Sequence, residues 1–434
     1  MILLLLPLVA AILLCERHGL LYPSENALYD SLYVHTFVLT SDHKPTARCE
    51  RYEADTYGGK IYLYLQRDSL LPLPQTGDTI IAQTRIRHLD SIGNFNYRKY
   101  ALRQGFIGSA FASRYEIHPA VEHPIPLQKR LYQRIAAAGL QGDELATVGA
   151  LTLGYKEDLD PELKQHFQAS GAAHVLAVSG LHTGILYGLI LWLLTLGGRI
   201  KPLHKNRVGR CFISTIIIAV MWGYAWLTGM TPSVVRAVLM VTMFEIGRML
   251  YRQAFSVNTI AAAAVLILLI RPLDLWSVSF QLSFAATISI VILAKWAETF
   301  LHTQEWNYVW YGRILAWFSG TIIISLAAQI GTLPITMHYF GQVSSYFLLA
   351  NLIVLPIATL LVPCGLISIA LGGSSIGVIF SHVTDTLAWL MNHSVAWIEA
   401  LPGSTFPASV NGGMIALYYL LLALFYAIVV KKRV

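Results

Sequence analysis

Apolar and polar positions follow different periods in different parts of the chain, and each period predicts a different kind of element. Met1 to Leu14 are nearly all aliphatic, and Glu16, Arg17 and His18 close the run. From Tyr22 to His118 the period is two, as in Lys60 to Arg67 (KIYLYLQR), Asp78 to Leu89 (DTIIAQTRIRHL) and Gly105 to Ile117 (GFIGSAFASRYEI). Alternating β-branched and aromatic residues between turn formers such as Tyr57-Gly58-Gly59 and Pro74-Gln75-Thr76-Gly77 predict short strands. Between His118 and Gln168, Leu127, Leu131, Ile135, Leu140 and Leu145 recur near the helical period among Lys129, Arg130 and Arg134. That pattern fits an amphipathic helix at a membrane surface, and packing against the strands fits it equally well. Apolar segments then recur at 172–198, 211–228, 232–250, 256–271, 277–294, 314–333, 346–371, 376–400 and 412–430. With the first run they make about ten, most of them near the roughly 20 residues that cross a bilayer as a helix.

Composition narrows the class. The 434 residues are 55% apolar and 13% charged, with a mean hydropathy of +0.56, whereas about a quarter of an ordinary soluble chain is charged. Residues 1–170 hold 17 Lys/Arg and 18 Asp/Glu, and residues 171–434 hold 14 and 6. Disorder, a coiled coil and a purely soluble enzyme are excluded. The expectation is a polytopic α-helical membrane protein of about ten transmembrane helices, some broken or re-entrant at 231–250 and 333–371, with a β domain inserted after the first helix. Its divisions are an N-terminal helix (1–20), the β domain (22–118), amphipathic linker helices (119–170) and a helical membrane domain (171–434). The first run lacks a basic leader and a small residue before Cys15, so an uncleaved helix is expected. Alternating the linkers puts Arg199, Lys201, Lys205, Arg207, Arg210, Arg248, Arg252, Lys295, Arg313 and the tail cations on one side, against Arg271 alone on the other. The positive-inside rule then places the C-terminus in the cytoplasm and the β domain outside.

Several short strands in 22–118 suggest a small barrel or sandwich, with an OB-type barrel as one candidate. Its aromatics can stack bases while Lys and Arg hold a backbone. The 11 Lys/Arg against 10 Asp/Glu give no overall basic field, however, and the 14 aromatics are also what a core requires. Cys15, Cys49, Cys211 and Cys364 show no C-x-x-C spacing, so no zinc site follows; Cys15 and Cys49 can pair only if both face an oxidising compartment.

The chemistry-bearing residues are those inside apolar runs, where an ionisable group costs several kcal/mol unless it is partnered or lines water. Four groups stand out. In AHVLAVSGLHTGILYG (Ala173 to Gly188), Gly180, Gly184 and Gly188 form a small stripe suited to close helix packing, and Ser179 and His182 project from neighbouring faces. In GMTPSVVR (Gly229 to Arg236), Pro232 breaks or starts a helix and Arg236 either snorkels or offers positive charge to an anion. DLWSVSFQLSFAAT (Asp274 to Thr287) sets Gln281, Ser277 and Ser283 among aromatics. Between Gln329 and Pro356, Gly331, Pro334, His338, Gly341, Asn351 and Pro356 interrupt an apolar stretch. Four such interruptions point to a polar conduit.

GAAHVLAVSGLHTGIL (Gly171 to Leu186) closely resembles the signature of ComEC-type competence proteins, inner-membrane channels that import single-stranded DNA in naturally transformable bacteria. GMTPSVVRAVLM (Gly229 to Met240), Asn258 to Thr287 and Thr332 to Pro356 resemble later blocks of that family in the same order, and GNFNYRKYALRQGFIG (Gly93 to Gly108) resembles the end of its OB-like domain. The resemblance runs from about residue 24 to 400. It implies a single-stranded DNA channel, with Ser179, His182, Arg236, Gln281, His338 and Asn351 as candidates for its path. It also implies a separate DNA receptor and a cytoplasmic motor or single-strand-binding protein, with a homo-oligomer left open. Many members carry a C-terminal metallo-β-lactamase-like domain. No H-x-H-x-D-H motif occurs here, so a nuclease is expected on another polypeptide, and Cys49 has no partner for the internal disulfide of some relatives. There is no P-loop, and no cofactor or metal is expected.

Two other classes fit less well. A secondary transporter of a small anionic solute would use the same broken-helix core. An intramembrane serine hydrolase would use Ser179 with His338, His382 or His393 as base, but Ala177 replaces the first glycine of a G-x-S-G pattern. The expectation is a channel, not an enzyme.

Overall fold

The computed structural model describes residues 2–17, 32–46, 48–67, 72–89, 97–120, 126–176, 178–195, 207–251, 257–294, 297, 310–372 and 374–426. They form two compact units, one of Leu6–Ile125 with Ile270–Trp276 and one of Met1–Leu5, Pro126–Leu269 and Ser277–Val434. The first helix, α1 (Ile2–Arg17), matches the first apolar run.

The smaller unit contains the expected strands: β1 (Tyr33–Leu39), β2 (Lys44–Pro45), β3 (Cys49–Thr56), β4 (Gly59–Gln66), β5 (Thr79–Thr84), β6 (Ile86–Arg87), β7 (Phe106–Ala112) and β8 (Glu116–His118). They join in the order β6-β7-β4-β3-β1-β5-β8, with β2 against β3. Every pairing is antiparallel except β4 with β7. The period of two is realised directly, since Phe37, Leu39, Tyr52, Ala54, Ile61, Leu63, Leu65, Ile80 and Ala82 point to one buried core while their neighbours face out. Where β6 meets β7, Gly108 leaves no space for a side chain: a Cβ there would lie 2.5 Å from the Arg87 carbonyl oxygen. The Pro74 to Gly77 turn is held by buried Asp78, whose carboxylate accepts from the backbone N–H of Gln75 (2.8 Å) and of Ala120 (2.9 Å). α2 (Tyr97–Arg103) precedes β7. Its Arg103 donates to Glu16 of α1 at 2.6 Å, and the guanidinium lies 4.2 Å from the Trp276 ring. Cys15 and Cys49 are both free thiols, so the conditional pairing does not occur.

The larger unit is helical: α3 (Leu127–Ala137), α4 (Gly142–Leu153), α5 (Pro161–Ser170), α6 (Gly180–Leu194), α7 (Arg207–Leu227), α8 (Pro232–Met249), α9 (Val257–Ile270), α10 (Val278–Ser289), α11 (Trp310–Phe340), α12 (Phe347–Leu371), α13 (Ser375–Glu399) and α14 (Gly412–Phe425). α9 reaches one residue beyond this unit. Each apolar segment of the sequence carries one helix. Among the described residues three helices are long and apolar enough to cross a membrane: Arg207–Leu227, Leu315–Phe340 and Phe347–Leu371. Five are shorter apolar helices, and α8 and α13 carry charged residues.

Two expectations are revised. Pro334 lies inside α11, and Pro356 and Pro363 lie inside α12, so these helices run through their prolines and the interruption between them is confined to 341–346, where β9 (Gln342–Ser344) pairs with β10 (Thr405–Pro407). Pro232 opens α8 at its first turn, where its missing N–H costs nothing. The 119–170 segment also differs from a surface linker, because Leu145 to Leu153 of α4 are buried without exception and share a core with α12 and α13. Gly149 lets the α3 Tyr132 ring lie where a Cβ would be 2.6 Å away, and Thr147 donates to the Asn392 Oδ1 at 2.8 Å.

Packing of α10 on α11 depends on Gly331, whose Cβ would sit 2.5 Å from the Ser289 Cβ and 2.6 Å from the Ala285 carbonyl oxygen. Overpacking of this kind costs about 1–3 kcal/mol. Gly331→Ala is therefore expected to lower the thermal midpoint of the detergent-purified protein, with Gly320→Ala, which meets open space, as the neutral control.

A second expectation concerns pH. His35 points into the β core beside Phe37, and burial lowers its pKa from 6.5. The unfolded chain therefore binds the proton more tightly than the folded one, so stability is full above about pH 6.5 and falls as pH drops below it. Urea unfolding of the wild type and of His35→Phe across that range should show the acid loss only in the wild type.

Candidate functional site

The first three polar groups of the sequence meet on α6, α8 and α10. Ser179 is the N-cap of α6: its hydroxyl accepts from the Leu181 N–H at 3.3 Å, and its own N–H donates to His182 Nδ1 at 3.2 Å. Ser179 Oγ also lies 3.2 Å from that nitrogen. This is a capping box in which histidine takes the place usually held by Glu or Gln. The His182 ring is fully buried, and its Nε2 has no hydrogen-bond partner among the described residues. Just before the cap, the Val178 carbonyl accepts from Ser233 Oγ at 2.7 Å, which ties the start of α8 to the start of α6. One turn along α8, Arg236 is 2% exposed and donates from Nη2 to Ser279 Oγ on α10. The Ser279 hydroxyl thus ties the buried guanidinium to a neighbouring helix. A guanidinium buried in a low-dielectric setting interacts strongly with an anion that reaches it.

The remaining candidates are placed differently. Gln281 is half-buried on α10, two residues beyond Ser279. His338 is exposed near the end of α11 and donates from Nδ1 to the Val410 carbonyl at 2.9 Å. Asn351 is buried on α12, and its Oδ1 has no partner among the described residues. Neither residue bonds to the α6, α8 and α10 cluster. Gly180, Gly184 and Gly188 are exposed, and a Cβ on any of them would meet nothing within 4 Å, so the stripe packs no helix of the described chain. As for a serine nucleophile, the imidazole beside Ser179 is His182. The Nδ1 of His393 is bonded to the Trp389 carbonyl, His382 is exposed, and Ala177 lies outside the described residues.

One cluster was not singled out from the sequence. Glu245 of α8 is completely buried and accepts from Tyr187 Oη of α6 (2.7 Å), Ser214 Oγ of α7 (2.5 Å) and Arg248 Nη1 (2.9 Å). It ties three helices together at the opposite end of α8 from Ser233. The available signal was an acid three residues before Arg248 in an apolar segment, among only 6 acidic residues after 170. Arg248 was read only as a loop cation. Of the cations on the side expected to be cytoplasmic, Arg199, Lys201, Lys205, Arg252, Lys295 and those of the tail lie outside the described residues.

Three helices long and apolar enough to cross a membrane, in a chain that also buries the charged side chains of Arg236 and Glu245, define a protein of the membrane-embedded helical class. Residues 151–433 match the sequence model of the competence protein family, and the chain belongs to that family. It is similar to ComE operon protein 3 of Bacillus subtilis, with 28% identity over 256 residues that make up 58% of this chain and 30% of that protein. It is also similar to Competence protein ComA of Neisseria gonorrhoeae (28% over 211 residues, 46% of this chain and 30% of that protein) and Recombination protein 2 of Haemophilus influenzae (23% over 226 residues, 52% and 28%). The matched part thus spans less than a third of each of these relatives. All the polar groups described above fall inside the matched residues, and the β strands before residue 119 fall outside them. No solved structure matches the chain.

Breaking a buried ion pair by removing one partner costs about 3–5 kcal/mol. Glu245→Leu should therefore reduce the amount of folded protein recovered from membranes, as judged by size-exclusion profile and thermal midpoint. Replacing Arg248 as well, in Glu245→Leu with Arg248→Met, should recover much of the loss.

Proposed function

We propose that this chain forms the channel through which single-stranded DNA crosses the cytoplasmic membrane during natural transformation. The observation that carries the reading is the buried Arg236 of α8, bonded to Ser279 of α10 within the residues that match the competence family. A nucleic-acid strand bears one negative charge per nucleotide, so a path through hydrocarbon requires fixed positive charge and polar lining. Arg236 supplies the charge, and Ser179, His182 and Gln281 supply polar groups on the helices beside it. His338 and Asn351 belong to this reading only as secondary candidates, since they lie apart from that cluster.

We read the smaller unit as an OB-type barrel on the extracytoplasmic side. Taking β5 and β6, separated only by Arg85, as one bent strand gives five main strands. Their pairing follows the order first, second, third, fifth, fourth and back to the first, with the third and fifth parallel. That order and that single parallel pair support the OB-type assignment. On this reading the C-terminus is cytoplasmic. A DNA receptor, a nuclease activity and a motor or single-strand-binding protein act with the channel, whose own role is translocation.

The buried guanidinium also suits a small anionic solute, which keeps a secondary transporter as the competing reading. The test is entry of labelled DNA into the cytoplasm of cells lacking this chain, complemented with wild type or with Arg236→Ala. The expected result is loss of internal but not of surface-bound DNA, restored by wild type and reduced at least tenfold with Arg236→Ala at equal membrane abundance. Unchanged uptake in the deletion strain would move the solute transporter to first place.

A further inference from the structure

α11 carries a weak point and, beside it, a support that matches it. Pro334 lies inside this helix and has no N–H to offer the Ile330 carbonyl one turn earlier. Helices bend at such places. The Thr332 and Thr336 hydroxyls on either side of the proline bond back to carbonyls of their own helix, which favours bending further. The helix nevertheless runs unbroken from Trp310 to Phe340. Its carbonyls at this point are taken up by α14. Tyr418 Oη donates to the Ile330 carbonyl at 2.8 Å, and Tyr419 Oη donates to the Gly331 carbonyl at 2.7 Å.

The support also reaches past the weak point. Further along α11, His338 Nδ1 donates to the Val410 carbonyl at 2.9 Å, and the Ala408 N–H donates to the Gly341 carbonyl at 3.0 Å. Residues 408–419 therefore run antiparallel to residues 330–341 and are bonded on both sides of Pro334, as a splint lies across a joint. α14 has no fully buried residue, so these bonds and shallow packing are what hold it. What lies beyond the joint gives it a task. The last turns of α11 lead into β9, whose Ser344 Oγ is buried against the end of α5: a Cβ on Gly171 would sit 2.9 Å from that oxygen. Gly171 closes α5 in a left-handed conformation, φ +88°, and from there the chain leads to the Ser179 cap of α6. β9 is paired with β10, so the two strands move as one piece.

We propose that α11 is a hinged gate, in which bending at Pro334 swings its last turns and β9 off the end of α5, and that α14 is the splint that keeps the gate shut. The Tyr418 and Tyr419 hydroxyls are the latch. A carbonyl without a donor is costly in hydrocarbon, so the closed form is favoured while both hydroxyls are in place. Bonds between membrane helices are individually weak, which makes the latch reversible. Opening frees the start of the segment that ends at Ser179 and His182. The proposal rests on the channel reading only for what passes the gate, since the motion itself belongs to the helices.

The test is the rate at which N-ethylmaleimide alkylates Ser344→Cys in the detergent-purified full chain, with Cys15, Cys49, Cys211 and Cys364 replaced by serine. The thiol takes the place of a hydroxyl that solvent does not reach in the closed form. Adding Tyr418→Phe and Tyr419→Phe, which remove only the two hydroxyls, should raise the rate about tenfold, the worth of two interhelical bonds in the population of an open form. Adding Pro334→Ala to that pair gives the Ile330 carbonyl its helical donor back and should return the rate to its starting value. Ser368→Cys, buried on α12, should stay unreactive in every background. Three results would overturn the gate: an unchanged rate in the paired Phe variant, an increase that Pro334→Ala does not reverse, or a parallel gain at Ser368→Cys, which marks general loosening. No DNA enters the assay. A deletion strain that still imports DNA would sink the uptake reading and leave the hinge standing.

Discussion

The larger unit depends on the burial of α4. Nine consecutive residues, Leu145 to Leu153, are buried, although the helix has only twelve residues and lies in a segment of mixed polarity. A helix buried on all sides must satisfy its own polar side chains, and α4 does so with two threonines. Thr147 bonds to Asn392 on α13, and Thr152 bonds back to the Val148 carbonyl. Around it α12 and α13 form the most extensive packing in the unit. Gly365 of α12 approaches so closely that a Cβ there would lie 2.7 Å from Thr152. Since interiors are packed at crystal density, a change of one methylene at this crossing would be felt by three helices at once.

With that crossing fixed, the polar groups of α6 and α8 acquire definite neighbours. Gly154 ends α4 in a left-handed conformation, φ +71°, and its open side lies against the Thr228 carbonyl and the Val178 side chain. Val178 is the residue whose carbonyl accepts from Ser233, so the end of α4, the start of α6 and the start of α8 share one junction. Arg236 and His182 both lie within one turn of it. At the far end of α8, Glu245 draws α6 and α7 together. α8 is therefore held at both ends by hydrogen bonds to neighbours, and its buried guanidinium has little freedom to swing towards an aqueous surface.

Strands and apolar helices were legible because their signals are local. The period of two in KIYLYLQR places Ile61, Leu63 and Leu65 in the core, and each apolar run places its helix, although the start of α6 and the end of α11 differ by seven or eight residues. α4 was misread because GDELATVGALTL is small and only mildly apolar, so its burial is decided by partners more than two hundred residues away. Proline misled for a similar reason: Pro334 and Pro356 would break an isolated helix, but in a packed bundle neighbouring groups can take over the freed backbone. In the candidate site, Arg236 and the Ser179 and His182 pair were visible as polar groups in apolar runs, and their junction was not. The glycine stripe of α6 had the spacing for close packing, but spacing does not say which face of a helix meets a neighbour. Glu245 was missed because a lone acid in a long chain gains meaning only when Tyr187, Ser214 and Arg248 are brought around it.

The hydroxyl groups of the helical unit carry a further lesson. Thr195, Thr215, Thr228, Thr242, Thr287, Thr332, Thr359, Thr384, Thr386 and Ser394 each donate to the carbonyl four residues earlier in their own helix. A hydroxyl engaged in this way presents mostly its methyl or methylene group to the surroundings, and the donor it would have offered to water is already used. A tally of serines and threonines therefore overstates how hydrophilic the interior is. Wetting of any passage through these helices falls to the few groups whose bonds run from one helix to another, which makes the polar inventory much smaller than the sequence suggests.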